Sequence, residues 1–150
     1  MPPVRSLKVF GSAVEITVDG AMSHGVTSVV ILTVPPGGGL PPHAHEFEDE
    51  MFMALEGDFE LLQDGEGMPL PIDEPVFSSR GTVHSYRNVG KSAGRIATIY
   101  TPAGFEQWFE EVNGLSPATE MKQIASISEE YGVTIHADGK ARSAKADTLS

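Results

Sequence analysis

The sequence lacks cysteine, so disulfide bonds, thiol catalysis and thiolate ligands to a metal are excluded. Basic residues are also scarce, with 10 lysines and arginines against 21 aspartates and glutamates and a formal net charge of -11. Such a chain would repel nucleic-acid phosphates, so we expect no nucleic-acid partner. No apolar run reaches the length of a membrane span, and the N-terminus has no stretch typical of a signal peptide. We therefore expect no membrane association and a cytoplasmic location.

The spacing of apolar residues in the first hundred positions indicates a mainly β fold. A chain of 150 residues with 40% hydrophobic residues can form one globular domain with a core. Short apolar runs separated by Gly and Pro are typical of a small antiparallel barrel or sandwich. The predicted strands are residues 7–10, 13–18, 27–34, 50–55, 59–63, 75–78, 84–87 and 95–101.

After Thr101 the apolar spacing becomes helical. Apolar residues at i, i+3, i+4 and i+7 from Phe105 predict an amphipathic helix over residues 104–112. We expect Phe105 and Trp108 to pack against the barrel, with contact to a substrate at its mouth as the alternative.

A second helix is predicted over residues 117–131, with Ser116 as its N-cap. The polar segment that follows, residues 136–150, is predicted to be disordered.

Three of the five histidines share one spaced pattern with a glutamate. His43 and His45 are two positions apart, so an extended strand points both side chains to one face. Glu50 and His84 can complete the shell around one ion. Three imidazoles and a carboxylate favour a divalent transition metal, namely Fe, Mn, Co, Ni, Cu or Zn, over Mg or Ca. The alternative, a half-exposed histidine pair and a surface carboxylate, leaves the joint spacing unexplained.

The remaining histidines and the other acidic residues near Glu50 are predicted to be solvated. His24 lies in a turn-like segment and His136 beside the polar end of the chain. Glu46, Glu48 and Asp49 are expected to form a solvated loop.

The segment Gly37–Asn88 resembles the two sequence motifs of the cupin superfamily. The first motif matches without a gap, at Gly37, His43, His45, Glu50 and Gly57. The second matches at Gly81, His84 and Asn88, but Ser79 stands where the family usually has proline, and Asp73-Glu74 replaces the usual Gly-Asp. The resemblance implies a cupin-type double-stranded β-helix over residues 1–103 and a C-terminal helical extension, residues 104–135, packed on it.

The residues where the predicted strands give way to the predicted helices resemble those of single-domain bacterial cupins similar to quercetin 2,3-dioxygenase. They are Thr101-Pro102-Ala103-Gly104-Phe105-Glu106 and, after two helices, Tyr131-Gly132-Val133. This resemblance implies a dioxygenase that cleaves a flavonol-like or other phenolic or enolic small molecule with O2. It makes Glu50 both a metal ligand and the base that removes the substrate's hydroxyl proton. A metal-dependent isomerase or epimerase, and a non-catalytic protein that binds a small molecule, are the alternatives.

Side-chain alternation predicts further residues of the substrate pocket. If Glu50 points inward, Phe52 does so too, and His84 likewise brings Tyr86 inward. The strand over residues 27–34 is apolar on both faces, which suits burial from two sides. The cupin resemblance supports a homodimer formed through such a sheet, and coverage by the C-terminal helices is the alternative.

Overall fold

The short apolar runs pair into two antiparallel sheets in the computed structural model, which describes residues 5–136. The strands are β1 (Arg5–Val9), β2 (Ser12–Val18), β3 (Ser28–Val34), β4 (His43–His45), β5 (Asp49–Glu56), β6 (Phe59–Gln63), β7 (Glu66–Leu70), β8 (Val76–Ser78), β9 (His84–Asn88), β10 (Gly94–Thr101) and β11 (Val133–Ile135). The helices are α1 (Gly20–Ser23), α2 (Glu106–Val112) and α3 (Met121–Glu130).

The two sheets enclose one interior. The first has the strand order β1-β2-β3-β10-β5-β8 and the second β11-β4-β9-β6-β7. Alternate residues of each strand point into the interior, as in β3, where Val30, Leu32 and Val34 are buried and the residues between them are not. The predicted mainly β class, with two C-terminal helices, is confirmed.

Apart from β4, which only the histidine spacing implied, two strands were not predicted because their sequences carry little apolar alternation. β7 contains Gly67 and Pro69, and Leu70 is its one buried residue, which suits an edge strand. It pairs with β6 through a tight turn in which Asp64 and Gly65 both have positive φ. β11 is three residues long and follows a helix, and its pairing with β4 joins segments far apart in the sequence.

The helix over residues 104–112 is confirmed and begins at Glu106, whereas the start of the second helix was predicted wrongly. Ser116 is not its N-cap. The Glu120 side chain instead accepts a hydrogen bond from the Ser116 amide, and the Ser116 carbonyl accepts from the Glu120 amide. These contacts hold a separate turn, so α3 begins only at Met121.

The C-terminal helices lie at one end of the interior. Phe105 and Phe109 pack near the inward ring of Tyr100, with ring centroids 5.0 and 6.4 Å away. Trp108 donates a hydrogen bond from Nε1 to Ser128 Oγ and so ties α2 to α3. Phe105 and Trp108 are buried, as expected for residues packed against the barrel.

The two histidines outside the metal centre differ in their exposure. His24 is exposed as predicted, but His136 is half-buried, and its main-chain amide donates to the Pro42 carbonyl. The predicted disordered segment falls, from residue 137 onward, outside the described residues. Within residues 5–136 no helix is long and apolar enough to cross a membrane. The domain boundaries stay a prediction.

Gly39 should be required for folding because a side chain there would meet backbone. A Cβ atom at Gly39 would lie 2.0 Å from the Tyr86 carbonyl oxygen. At Gly67 it would lie 3.4 Å from the flexible Glu60 side chain. We expect Gly39→Ala to lower the free energy of unfolding by about 3 kcal/mol, the upper range for overpacking, and Gly67→Ala to change it by less than about 0.5 kcal/mol. Urea denaturation measures both, and equal losses would contradict the close approach.

Candidate metal centre

Four polar side chains from both sheets meet inside the barrel. β4 supplies His43 and His45, β5 supplies Glu50, and β9 supplies His84 opposite His43. All four are buried, and their potential ligand atoms lie within 4.8 Å of one another. The structure therefore brings together every residue predicted as a metal ligand.

Three atoms of this cluster are buried without a hydrogen-bond partner. His45 Nε2 and His84 Nε2 lie 3.2 and 3.1 Å from the same oxygen, Glu50 Oε1. These distances suit hydrogen bonds, yet none of the three atoms has a partner of suitable geometry. Buried polar atoms are nearly always paired, with protein, water or an ion. Nitrogen and carboxylate donors converging in this way fit a transition-metal ion.

The other ring nitrogen of each histidine is already held. Nδ1 of His43 contacts the Pro41 carbonyl oxygen at 2.8 Å, and Nδ1 of His84 contacts Ser78 Oγ at 2.9 Å. Nδ1 of His45 contacts Glu48 Oε1 at 3.2 Å. Outer partners of this kind fix the ring orientation and tautomer of metal-binding histidines. They leave the Nε2 atoms free to face the centre.

The charges in the cluster are strongly coupled. Burial, helped by the neighbouring imidazoles of His84 and His45, lowers the pKa of His43 from 6.5 to about 3. Burial would also lower the pKa of His45, but the carboxylates of Glu48 and Glu50 outweigh it and raise that pKa to about 9. Burial opposes ionisation of Glu50, yet His84 and His45 hold its pKa below the usual range. The cluster thus keeps a buried negative charge that suits a cation.

The predicted pocket residues also lie inside. Phe52 and Tyr86 are buried, with the Phe52 ring 5.0 Å from the His84 ring and 6.3 Å from the Tyr86 ring. The register deduced from alternation therefore holds. Their role as substrate contacts stays a prediction.

Sequence reasoning missed two residues that support the centre, Glu48 and Tyr100, whereas Phe105 was expected to pack against the barrel. Glu48 was predicted to be solvated, but it is buried against His45, so that prediction is wrong. Tyr100, which lies opposite Glu50 in the register of β10 and β5, is buried with its hydroxyl beside Glu50 and Thr98. The Phe105 ring lies 4.5 Å from the His45 ring. Period-two alternation along β10 could have identified Tyr100, whereas nothing local marked Glu48.

The turn before His84 is formed although the usual proline is replaced by Ser79. Ser79 Oγ lies 3.2 Å from Thr82 Oγ1, and the Gly81 amide donates to the His45 carbonyl at 2.7 Å. Arg80 donates to both carboxylate oxygens of Asp49. Side-chain contacts thus anchor this turn beside the ligand strands.

The centre is closed to solvent. A narrow apolar slot reaches His43 and has a volume of about 10 Å³, room for roughly one water molecule. Its other lining residues are Phe10, Leu40, Pro41, Phe105, Trp108, Val133 and Ile135. A larger ligand can reach the centre only if these side chains move apart.

Comparisons with known proteins point to one family. Residues 30–100 match the family model described as "Cupin domain". The chain is 28% identical over 99 residues to "Polyketide synthase CurC" from Streptomyces cyaneus, which covers 65% of this chain and 64% of that protein. It is 30% identical over 87 residues to "Quercetin 2,3-dioxygenase" from Bacillus subtilis (strain 168), covering 58% and 26%. The matched segment thus spans less than two thirds of either relative.

A solved structure shows the same fold at low sequence identity. It is that of "the polyketide cyclase RemF" from Streptomyces resistomycificus, with a TM-score of 0.55 and 22% identity. The match covers 65% of this chain and 70% of RemF.

Glu48 should strengthen metal binding through His45, although it is not itself a proposed ligand. We expect Glu48→Ala to weaken Zn²⁺ affinity by about 10- to 100-fold, because the His45 ring loses the partner that orients it. The exposed neighbour Glu46 provides the control, since Glu46→Ala removes the same charge two residues away. Competition with a chromogenic chelator measures both affinities. Equal losses in the two variants would mean that net charge alone governs the affinity.

Proposed function

We propose that the chain, whose residues 30–100 match the cupin domain model, is a metal-dependent cupin dioxygenase that cleaves a flavonol-like or other phenolic or enolic small molecule with O2. The observation that carries the proposal is the convergence of three unpartnered buried atoms, from His45, Glu50 and His84. His43 completes the ligand set. The metal is a divalent transition ion such as Fe, Mn, Ni, Co, Cu or Zn.

Each polar residue of the centre has a distinct part in this proposal. A bound metal ion would act as a Lewis acid that stabilises the substrate's oxyanion. Glu50 accepts the substrate's hydroxyl proton, because it is a carboxylate beside the position that the hydroxyl would occupy. Tyr100 lies opposite Glu50 across β10 and β5, and its hydroxyl would position that carboxylate. The three histidines hold the ion and are themselves oriented by Pro41, Glu48 and Ser78.

The surroundings of the centre favour an aromatic substrate. Rings of Phe52 and Phe105 lie 5.0 and 4.5 Å from metal-centre imidazoles, and the slot beside His43 is almost wholly apolar. Apolar walls with a few polar groups suit a planar organic molecule that binds through one oxygen. They also exclude water, which strengthens electrostatic interactions at the reacting oxygen.

A second reaction class is favoured by the names of two similar proteins. CurC is a polyketide synthase protein and RemF a polyketide cyclase. The same residues could catalyse ring closure of a poly-β-carbonyl chain, with Glu50 removing a proton next to a carbonyl and O2 playing no part. Both candidates require a metal, an ionised Glu50 and an aromatic or enolic ligand, so O2 consumption separates them.

The decisive experiment combines elemental analysis of the purified protein with an aerobic screen of phenolic and enolic compounds. We expect bound transition metal and O2 uptake on at least one compound, with both atoms of ¹⁸O2 found in the product. Turnover without O2 uptake would overturn the dioxygenase proposal in favour of cyclisation or isomerisation.

Replacement of the proposed base should separate metal binding from catalysis. Gln at position 50 keeps the size and one oxygen donor of Glu50 but cannot accept the proton. We expect Glu50→Gln to retain metal, more weakly, and to lose turnover by about 100- to 10,000-fold, the usual contribution of a general base. Metal content and kcat are measured on the same sample. Wild-type kcat in a metal-loaded variant would remove the proposed role of Glu50 as base.

We also propose that the chain forms a homodimer through the outer face of the first sheet. Phe77, Met51, Ile99 and Val29 are paired in register across β8, β5, β10 and β3. They form an outward apolar row whose side chains are exposed or half-buried. The C-terminal helices pack at the interior side, against Tyr100, so this row is available to a second copy.

A charge in the middle of this row should prevent association. We expect the wild-type chain to elute at twice the single-chain mass and Ile99→Lys to elute as a monomer. Val89 is 49% exposed and lies off the row, so Val89→Lys serves as the control. Light scattering coupled to size exclusion gives the masses. Dimeric Ile99→Lys would place the interface elsewhere.

A further inference from the structure

We propose that Tyr86 and Gln63 form a polar subsite that binds a second hydroxyl group of the substrate, separate from the oxygen at the metal. The inference deepens the proposed function and rests on it, because the ligand is taken to reach the metal with its first oxygen. It adds a substrate class: aromatic molecules that carry a further hydroxyl group beyond the oxygens that reach the metal.

Strand register places Gln63 beside the metal centre. On β6, Phe59 and Leu61 point inward and are buried, and Gln63 is the next residue on that face. Gln63 lies directly opposite His84 in the pairing of β6 with β9. His84 in turn lies opposite His43, so one inward row crosses three strands.

The same register makes Gln63 a close neighbour of Tyr86. Tyr86 follows His84 by two residues on the inward face of β9, so it stands diagonal to Gln63 across the strand pair. Long side chains can reach one another across such a diagonal.

Both residues present a buried polar atom that has no partner. Six buried side-chain atoms within residues 5–136 lack a hydrogen bond. Three belong to His45, Glu50 and His84, and two more are Tyr86 Oη and Gln63 Oε1. Five of the six therefore lie in and beside the metal centre. An unpaired buried polar atom is costly. The presence of five such atoms in one region therefore points to a ligand that supplies the missing partners.

The two atoms together select one kind of ligand group. A phenol donates a hydrogen bond, and an amide oxygen accepts one. A hydroxyl group can accept from a phenol and donate to an amide oxygen at the same time, so it is the ligand group that suits both atoms. A hydrogen atom at that position satisfies neither, so ligands that lack the hydroxyl leave both protein atoms unpaired.

Thermal stability distinguishes a role of these two atoms in ligand binding from a purely structural role. If Tyr86 Oη and Gln63 Oε1 stabilise the fold, side chains of similar size that lack these atoms lower the melting temperature. If the two atoms instead bind a ligand, Tyr86→Phe and Gln63→Met each remove a buried atom that is unpaired in the ligand-free protein. We then expect the melting temperature of the ligand-free protein to stay level or rise by about 2–4 °C. Tyr100→Phe is the matched control, since it deletes a buried hydroxyl that is not among the unpaired atoms, and should lower the melting temperature.

Ligand binding gives the second readout. Quercetin and 3-hydroxyflavone share the 3-hydroxy-4-keto unit, and quercetin carries additional hydroxyls. With Zn²⁺-loaded protein of verified metal content, we expect quercetin to bind about 5- to 100-fold more tightly than 3-hydroxyflavone. Tyr86→Phe and Gln63→Met should abolish most of this preference while leaving the affinity for 3-hydroxyflavone unchanged. Absorbance titration measures the affinities of the three proteins for the two compounds.

Each other outcome overturns the subsite. A fall in melting temperature for both variants would assign the two atoms to the fold. An unchanged preference in the variants would show that the ligand's hydroxyls bind elsewhere, and failure of wild-type protein to bind either compound would refute the ligand class. Failure of the dioxygenase proposal is a separate result, because it is measured as O2 uptake and the subsite as binding.

Discussion

Burial of the Glu50 charge is the constraint on which the rest of the centre depends. A carboxylate inside an apolar barrel is costly unless opposite charge and hydrogen bonds surround it. The imidazoles of His45 and His84 place opposite charge 3.2 and 3.1 Å from Glu50 Oε1, and the hydroxyl of Tyr100 lies beside the same carboxylate. Each imidazole needs its own outer partner to hold its direction. The polar arrangement therefore extends outward in layers, from Glu50 to His45 to Glu48.

The ligands were predictable because their geometry follows from local rules. Two-residue spacing puts His43 and His45 on one face of a strand. By the same alternation, Phe52 points to the same side as Glu50, and Tyr86 to the same side as His84. The burial of Phe52 and Tyr86 agrees with this reasoning. The match to the cupin domain model, residues 30–100, covers the segment that carries these motifs. The cytoplasmic location stays a prediction.

What the sequence did not reveal depends on contacts between distant segments. Glu48 looks like any acidic loop residue, and only the fold of the loop turns it toward His45. Ser116 has the composition of an N-cap, but the Glu120 side chain reaches back to its amide and delays the helix. β11 is too short for its pattern to stand out, and its pairing partner lies almost ninety residues earlier. Competition between such contacts is not encoded in any local window.

The pairing of β11 with β4 also sets an order of events during synthesis. β4 carries two of the proposed ligands, and its register with β9 is limited to one residue pair, whereas all three of its residues pair with β11. A nascent chain that has emerged only as far as residue 130 contains every proposed ligand, yet its ligand strand has an open edge. Such an edge is a template for unwanted strand pairing. Completion of the metal centre therefore waits for one of the last described segments to leave the ribosome.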